Sequence, residues 1–82
     1  MEHIARTTKQ IGALLRRQRK QQGLTQTQLG ERTNLRQATI SALENGEASA
    51  KLRTIVDVMA ALRLELVIRE RTRAGEDIED LF

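Results

Sequence analysis

The amino-acid sequence predicts a small, mainly α domain of four to five helices that is followed by a single β-strand. Its 82 residues are enough for one domain with a modest core. The only aromatic residue is Phe82 at the end of the chain, so the core must be aliphatic, which favours packed helices over an aromatic-rich barrel. Apolar residues recur at helical spacing in successive segments, and only one late segment alternates as a strand does.

Two short helices follow a longer first one, and turn residues separate all three. The first helix is predicted over about residues 8–22 and ends before Gly23. Thr25 and Gln28 match the capping box, so the second helix is expected to begin there. Asn34 is the predicted turn residue, because asparagine tolerates a positive φ better than most other residues.

A third and a fourth helix complete the helical part of the chain. The third is predicted over residues 36–44 and stops at Asn45-Gly46, a strong helix-stop pair. The fourth is predicted over about residues 50–62, after a polar loop at residues 47–49. Its apolar face is expected to consist of Leu52, Ile55, Val56, Met59 and Leu62.

The segment after Arg63 is the one with the pattern of a β-strand. Residues 64–70 alternate apolar side chains and contain adjacent β-branched residues. A lone strand has unpaired backbone groups, and pairing with the same strand of a second copy across a twofold axis satisfies them. The alternative is that the fourth helix continues to residue 70. The residues predicted to hold the homodimer are Leu64, Leu66, Val67 and Ile68.

The chain therefore divides into a helical domain over residues 1–63, a dimerisation strand over 64–70, and a linker with an acidic tail over 71–82. The acidic residues of the tail are Glu76, Asp77, Glu79 and Asp80. We expect this tail to be flexible, or to form one amphipathic turn on a partner. Residues 1–74 hold all 14 bases against 7 acids, and a net charge of +7 suits a polyanionic partner such as nucleic acid.

The composition gives no support to several classes of function. The chain has no Cys, and its one histidine, His3, lacks the partners that a metal or catalytic site needs. A Gly-rich phosphate loop and a nucleophile–base pair are also missing from the sequence, so we expect neither an enzyme nor a cofactor. No apolar run approaches the roughly 20 residues of a membrane span, and there is no secretion signal, so a cytoplasmic protein is expected.

A specific pattern occupies the twenty-residue unit that begins at Gln26. Gly30 stands where two short helices must cross closely, and Asn34 stands where the turn between them demands a positive φ. The positions that such a unit buries are Leu29, Leu35, Ile40 and Leu43. Together these positions indicate a helix-turn-helix, whose second helix enters the major groove of DNA.

The runs Gly-Leu-Thr-Gln-Thr-Gln-Leu and Gln-Ala-Thr-Ile-Ser-Ala-Leu-Glu-Asn-Gly resemble the Xre and phage-repressor family of helix-turn-helix proteins, over about residues 9–63. The Leu-Glu-Leu-Val-Ile-Arg segment, the acidic tail and Arg-Gln-Ala-Thr-Ile-Ser are most similar to HipB antitoxins of toxin–antitoxin operons. The resemblance implies a phage-repressor-like fold and a dimer that represses its own operon and binds a HipA-type Ser/Thr kinase toxin. Asn34 replaces the usual Gly, and Gly30 replaces the commoner Ala at a cost of up to about 1 kcal/mol in helix propensity.

The recognition helix of such a motif falls within residues 36–45, and its N-terminal residues lie at base edges. Gln37 can pair with N6 and N7 of adenine, and Arg36 with O6 and N7 of guanine or with a phosphate. Ala38 is small enough to lie against a thymine methyl, and Ser41 completes the predicted base-contacting set. The alternative for Gln37 is an ordinary solvated side chain.

Phosphate contacts fix register rather than sequence. The resemblance implies that the Gln26 side chain and the backbone N–H groups beside it hold a phosphate, which the helix dipole also favours. The alternative for Gln26 is that it only supports the helix start. Further phosphate contacts are predicted at Thr27, Thr39, Asn45 and Lys51, although a solvated side chain is the preferred interpretation of Lys51.

Arg19 and Glu44 are assigned to structure, because the resemblance implies a salt bridge between them that ties the first helix to the third. The neighbouring cations Arg16, Arg17 and Lys20 are interpreted mostly as a solvated helix face with diffuse attraction to phosphate. Two other functions stay open. The chain can be a free-standing regulator without a toxin, or a protein-interaction module that does not bind DNA.

Overall fold

The computed structural model describes residues 2–47 and 49–71 of the protein, and this part contains four helices. They are α1 (Thr8–Gln21), α2 (Gln26–Thr33), α3 (Gln37–Glu44) and α4 (Leu52–Ala61). None of these helices is long and apolar enough to cross a membrane. The predicted acidic tail, the rest of the linker from residue 72, and Ala48 of the predicted loop lie outside the described residues.

Threonine caps start the first two helices. At α1, the Gln10 N–H donates to Thr7 Oγ1 at 3.0 Å. At α2 the predicted capping box is complete, since the Gln28 N–H donates to Thr25 Oγ1 at 3.1 Å and the Thr25 N–H donates to Gln28 Oε1 at 2.9 Å. These bonds satisfy backbone donors that have no partner inside the helix, so α2 begins where the sequence predicts.

The turn between α2 and α3 depends on a close backbone approach. Asn34 has the predicted left-handed conformation, with φ 57° and ψ 40°. The Leu35 N–H then donates to the Gly30 carbonyl at 2.8 Å, and a Cβ at position 30 would lie 2.5 Å from the Leu35 carbonyl oxygen. Glycine has a lower helix propensity than alanine at position 30, but the alanine side chain does not fit at this crossing.

An aliphatic core lies between the four helices. Leu29, Ile40 and Leu43, three of the predicted core residues of the helix-turn-helix unit, are buried, and Leu35 is half-buried and packs against them. The buried apolar residues are Leu15, Leu24, Leu29, Ile40, Leu43, Val58 and Leu62. Helix α3 thus occupies the centre of the packing, and in the described structure its first turn stays exposed at Gln37 and Ala38.

The buried face of α4 is narrower than predicted and turned to one side. Val58 and Leu62 are buried, and Ile55 and Met59 pack partly against the core, which gives a stripe at i, i+3, i+4 and i+7. Leu52 and Val56, which were expected on this face, lie beyond the edge of the stripe and are 68% and 43% exposed. The helix also begins two residues later than residue 50. The predicted apolar face was therefore wrong in including Leu52 and Val56 and in leaving out Val58, which is 1% exposed.

Helix α4 ends at Ala61, so the alternative of a helix that continues to residue 70 is excluded. Arg63 has a left-handed φ of 59°, and the Leu64 N–H donates back to the Met59 carbonyl at 2.8 Å. This is the αL geometry that stops helices. Residues 64–71 have no regular secondary structure in the single chain, where a strand that requires a second copy has no partner. The strand and its pairing stay predictions.

Replacement of Gly30 by alanine is expected to destabilise the domain, although alanine is the better helix former. The propensity gain of about 1 kcal/mol is opposed by a methyl group forced against a backbone carbonyl, and overpacking of this kind costs about 1–3 kcal/mol. Urea denaturation followed by circular dichroism measures the difference, with Glu31→Ala at an exposed position of α2 as the control. A Gly30→Ala variant more stable than the parent would show that the crossing relaxes.

Candidate nucleic-acid interface

The first residues of α2 and α3 lie side by side on one surface of the domain. Gln26 begins α2 and Gln37 begins α3, and Gln37 Nε2 donates to Gln26 Oε1 at 2.5 Å. Gln37 is exposed and Gln26 is half-buried. The structure thus brings together the residue predicted to contact a base and the residue predicted to contact a phosphate.

A chain of hydrogen bonds connects these two glutamines to a buried ion pair. Gln26 Nε2 donates to Glu44 Oε1 at 3.1 Å. Arg19 holds both carboxylate oxygens of Glu44, with Nε to Oε2 at 2.6 Å and Nη2 to Oε1 at 3.0 Å, and its Nη1 donates to the Leu24 carbonyl at 2.7 Å. The salt bridge that the family resemblance implies is therefore present, and it extends to the surface through the side chains of Gln26 and Gln37.

Because the Arg19–Glu44 pair is buried, each of the two charges depends on the other for compensation. The two residues are only 7% and 8% exposed. The hydrogen bonding that Arg19 donates to Glu44 raises the pKa of Arg19 above its ordinary value; burial opposes this shift, and the negative charge of Glu44 adds to it. Loss of either partner leaves an uncompensated buried charge, which in proteins costs about 3–5 kcal/mol.

Gly12 allows α1 to come close enough to α3 for this pair to form. A Cβ at position 12 would lie 2.6 Å from the Glu44 carbonyl oxygen, so any side chain there would push the two helices apart. Gly12 is not among the residues that the sequence pattern predicted to matter. The signal that could have found it is a glycine in the middle of a helical pattern, where a packing reason is the usual explanation.

The predicted base-contacting residues lie on the outer side of α3. Arg36 is the N-cap residue, is exposed, and makes no ion pair or side-chain hydrogen bond within the described residues. Gln37 and Ala38 are exposed in the first turn, and Ser41 is half-buried one turn further on. Because residues i, i+1 and i+4 of a helix share a side, the last three form one continuous strip.

The predicted phosphate-contacting residues lie at different places around this strip. Gln26 and the exposed Thr27 form the first turn of α2, and the exposed Asn45 is the C-cap of α3. Lys51 is exposed as the N-cap of α4, at the other side of the loop that follows α3. Thr39 is half-buried and lies two residues after Gln37, so it projects from another side of α3.

Residues 15–68 match the model of a protein family described as Helix-turn-helix. The chain belongs to this helix-turn-helix family. The Xre-type assignment made from the motif is thereby confirmed, and the matched range includes the whole of α2, α3 and α4 together with most of residues 64–70.

This helix-turn-helix chain is similar to solved structures of HipB. HipB in a HipA–HipB–O2–O3 complex has a TM-score of 0.79 at 25% identity, over 87% of this chain and 100% of that one. HipB in a complex with an O4 20-mer has a TM-score of 0.80 at 25% identity, over 87% and 100%. HipB in an O1–O2 complex has a TM-score of 0.77 at 26% identity, over 84% and 100%. No curated protein matches the sequence.

Glu44→Gln is expected to destabilise the domain by about 3–5 kcal/mol, because it leaves Arg19 buried without its counter-charge. Urea denaturation at neutral pH measures the loss. Glu31→Gln makes the same chemical change at an exposed position of α2 and is expected to stay within about 0.5 kcal/mol of the parent. Equal stabilities of the two variants would mean that the ion pair does not hold the helices together.

Proposed function

We propose that the protein is a dimeric, sequence-specific DNA-binding repressor of the HipB type, with α3 in the major groove. The observation that carries this proposal is the hydrogen-bonded series from Glu44 through Gln26 to Gln37. It holds an exposed amide in place at the start of α3, so less side-chain entropy is lost when that amide pairs with a base. The similarity to HipB in O4 20-mer and O1–O2 complexes supports operator DNA as the ligand.

The base contacts follow from the donors and acceptors that the network leaves unused. Gln37 Nε2 has two hydrogens and gives one to Gln26, so the second hydrogen and Oε1 remain for N7 and N6 of adenine. The guanidinium of Arg36, which has no partner among the described residues, suits guanine or a phosphate. Ala38 lies beside Gln37 for a thymine methyl, and the Ser41 hydroxyl can donate or accept one turn further on.

The phosphate contacts are proposed around the start of α2. The capping box uses the Gln28 N–H and leaves the N–H groups of Gln26 and Thr27 without a partner inside the helix, at its positive end. An anion is favoured there for both reasons. Asn45, Lys51 and Thr39 are proposed as further phosphate contacts at the flanks of α3 and at the start of α4.

Residues 64–70 are proposed to form the dimer. Leu66, Val67 and Ile68 are 58%, 62% and 91% exposed, an apolar surface that a second copy can cover. Leu64, the fourth predicted interface residue, is half-buried and packs against its own core, so it also serves the fold. A twofold axis implies a palindromic operator with half-sites about one helical turn of DNA, or a multiple, apart.

The proposed partner besides DNA is a HipA-type kinase toxin, and the proposed biological role is that of an antitoxin that represses its own operon. The structural similarity to HipB in a HipA–HipB–O2–O3 complex supports this partner. The genomic neighbourhood distinguishes the two roles: finding a kinase gene immediately downstream of this protein's gene would favour the antitoxin over a free-standing regulator.

Gln37→Ala is expected to weaken binding to the duplex upstream of the protein's own gene by about 1–3 kcal/mol, since one bidentate base contact is lost. Binding to a mixed-sequence duplex should change much less. Fluorescence anisotropy titrations of both duplexes at two salt concentrations measure the affinity ratio, and a thermal melt checks that the variant is folded.

The parent protein provides the control in the same titrations. Tight binding to the upstream duplex that exceeds binding to the mixed sequence and weakens with salt supports the repressor. Equal, weak binding to every duplex would contradict sequence-specific repression, and would favour the protein-interaction module.

Proline substitutions at Val67 and Ile68 test the dimer strand. Adjacent N–H groups of a strand point to opposite edges, so one of the two substitutions must remove a donor from the intermolecular ladder. Sedimentation equilibrium is expected to show a monomer, or a much weaker dimer, for one variant and a smaller change for the other. If both variants keep the dimer mass of the parent, residues 64–70 do not pair across the axis.

A further inference from the structure

A groove along α1 holds four cations that no contact proposed above uses. We define it by the residues that line it, which are Lys9, Ala13, Arg16, Arg17, Lys20, Gln21, Glu44 and Asn45. It is open to solvent and has a volume of about 670 Å³. The residues from α1 recur every three or four positions and so share one face of that helix, which extends over about 16 Å from Lys9 to Lys20.

Within the part of the chain that the structure describes, no carboxylate forms an ion pair with the cations of the groove. Lys9, Arg16, Arg17 and Lys20 are exposed, and none of them forms an ion pair within the described residues. The carboxylate in the groove, Glu44, already accepts hydrogen bonds on both oxygens from other residues. Like charges one turn apart destabilise a helix, so this arrangement is unfavourable until an anion binds.

The groove is continuous with the surface on which we place DNA. One of its lining residues is Asn45, the C-cap of α3, and another is Glu44, which is hydrogen-bonded to Gln26. Both Asn45 and Gln26 are proposed phosphate contacts. A DNA backbone that passes these two residues therefore has the basic groove directly beside it.

We propose that the groove binds the sugar-phosphate backbone of duplex DNA outside the base pairs that α3 contacts. This inference rests on the proposed function and extends the protein's footprint on DNA. The cations are spread along a helix face about 16 Å long, so a polyanion satisfies them together in a way that a small anion does not. These contacts add affinity through counterion release and carry no sequence information.

The double variant Arg16→Gln, Lys20→Gln of the full chain tests the groove. Affinities for the upstream duplex and for a mixed-sequence duplex are measured between about 50 and 200 mM salt. Each lost phosphate contact lowers the slope of log K against log salt by about 0.9, and the proposed dimer loses up to four such contacts, so the slope is expected to become shallower by about 2 to 4 for both duplexes. The affinity ratio between the two duplexes should stay that of the parent.

The matched control is Arg32→Gln, Arg63→Asn, which removes the same charge from exposed positions outside the groove. Asparagine suits the left-handed conformation of Arg63, so the fold is expected to be kept, and thermal melts of both double variants check it. The salt slope of the control should equal that of the parent. An unchanged slope in the groove variant, or an equal loss in the control, would overturn the inference.

A second arm separates DNA from the acidic tail as the occupant of the groove. Deletion of residues 76–82 from the parent should leave the salt slope unchanged if DNA occupies the groove. A steeper slope after deletion in the parent, but not in the groove variant, would assign the groove to the tail and overturn the inference.

If the parent binds no duplex in a salt-dependent manner, the proposed function itself fails. If the groove variant keeps the salt slope of the parent while Gln37→Ala loses sequence specificity, only this inference is contradicted and the proposed function stands.

Discussion

The buried ion pair between Arg19 and Glu44 ties together the three helices that carry the candidate interface. Arg19 comes from α1 and also holds the loop before α2 through the Leu24 carbonyl, while Glu44 comes from the end of α3 and holds α2 through Gln26. Electrostatic interactions are stronger where water is excluded, so a satisfied network of this kind is rigid. No buried side-chain nitrogen or oxygen of the described residues lacks a hydrogen-bond partner. The position of the Gln37 amide thus depends on a contact between Arg19, which lies on another helix, and Glu44, which lies at the opposite end of α3.

Two glycines set the distances that this network needs, and they act on opposite ends of α3. Gly12 brings α1 against the backbone at the C-terminal end of α3, and Gly30 brings α2 against the turn that precedes its N-terminal end. Both contacts are with backbone atoms, which cannot move aside as a flexible side chain can. Helix α3 is therefore held by backbone contacts at its two ends and by aliphatic packing along its inner face, while Gln37 and Ala38 stay exposed on its outer side among the described residues. A fixed helix with one unoccupied face is what contact with base edges requires.

Local signals predicted the helical part of the chain well, because each acts over three or four residues. The Thr25–Gln28 capping box and the left-handed Asn34 were predicted and are present. Periodicity was less reliable in α4, where it placed Ile55, Met59 and Leu62 on the inward face but included the exposed Leu52 and Val56 and missed the buried Val58. An apolar pattern wider than the inward stripe cannot show which edge the neighbouring helices cover. In residues 64–70 periodicity left a strand and a helix open, and the left-handed Arg63 decided against the helix.

The sequence by itself determined the four helices, the turn, the helix-turn-helix class and the identity of the residues at the start of α3, since caps, turn residues and spacing are local. The tertiary structure decided why Gly12 is a glycine, how Gln26 bridges Glu44 and Gln37, and that four cations of α1 line a groove beside Asn45. These features join residues that are separated along the chain. They exist only after the helices have packed, because their physical cause is the close approach of surfaces that no local pattern describes.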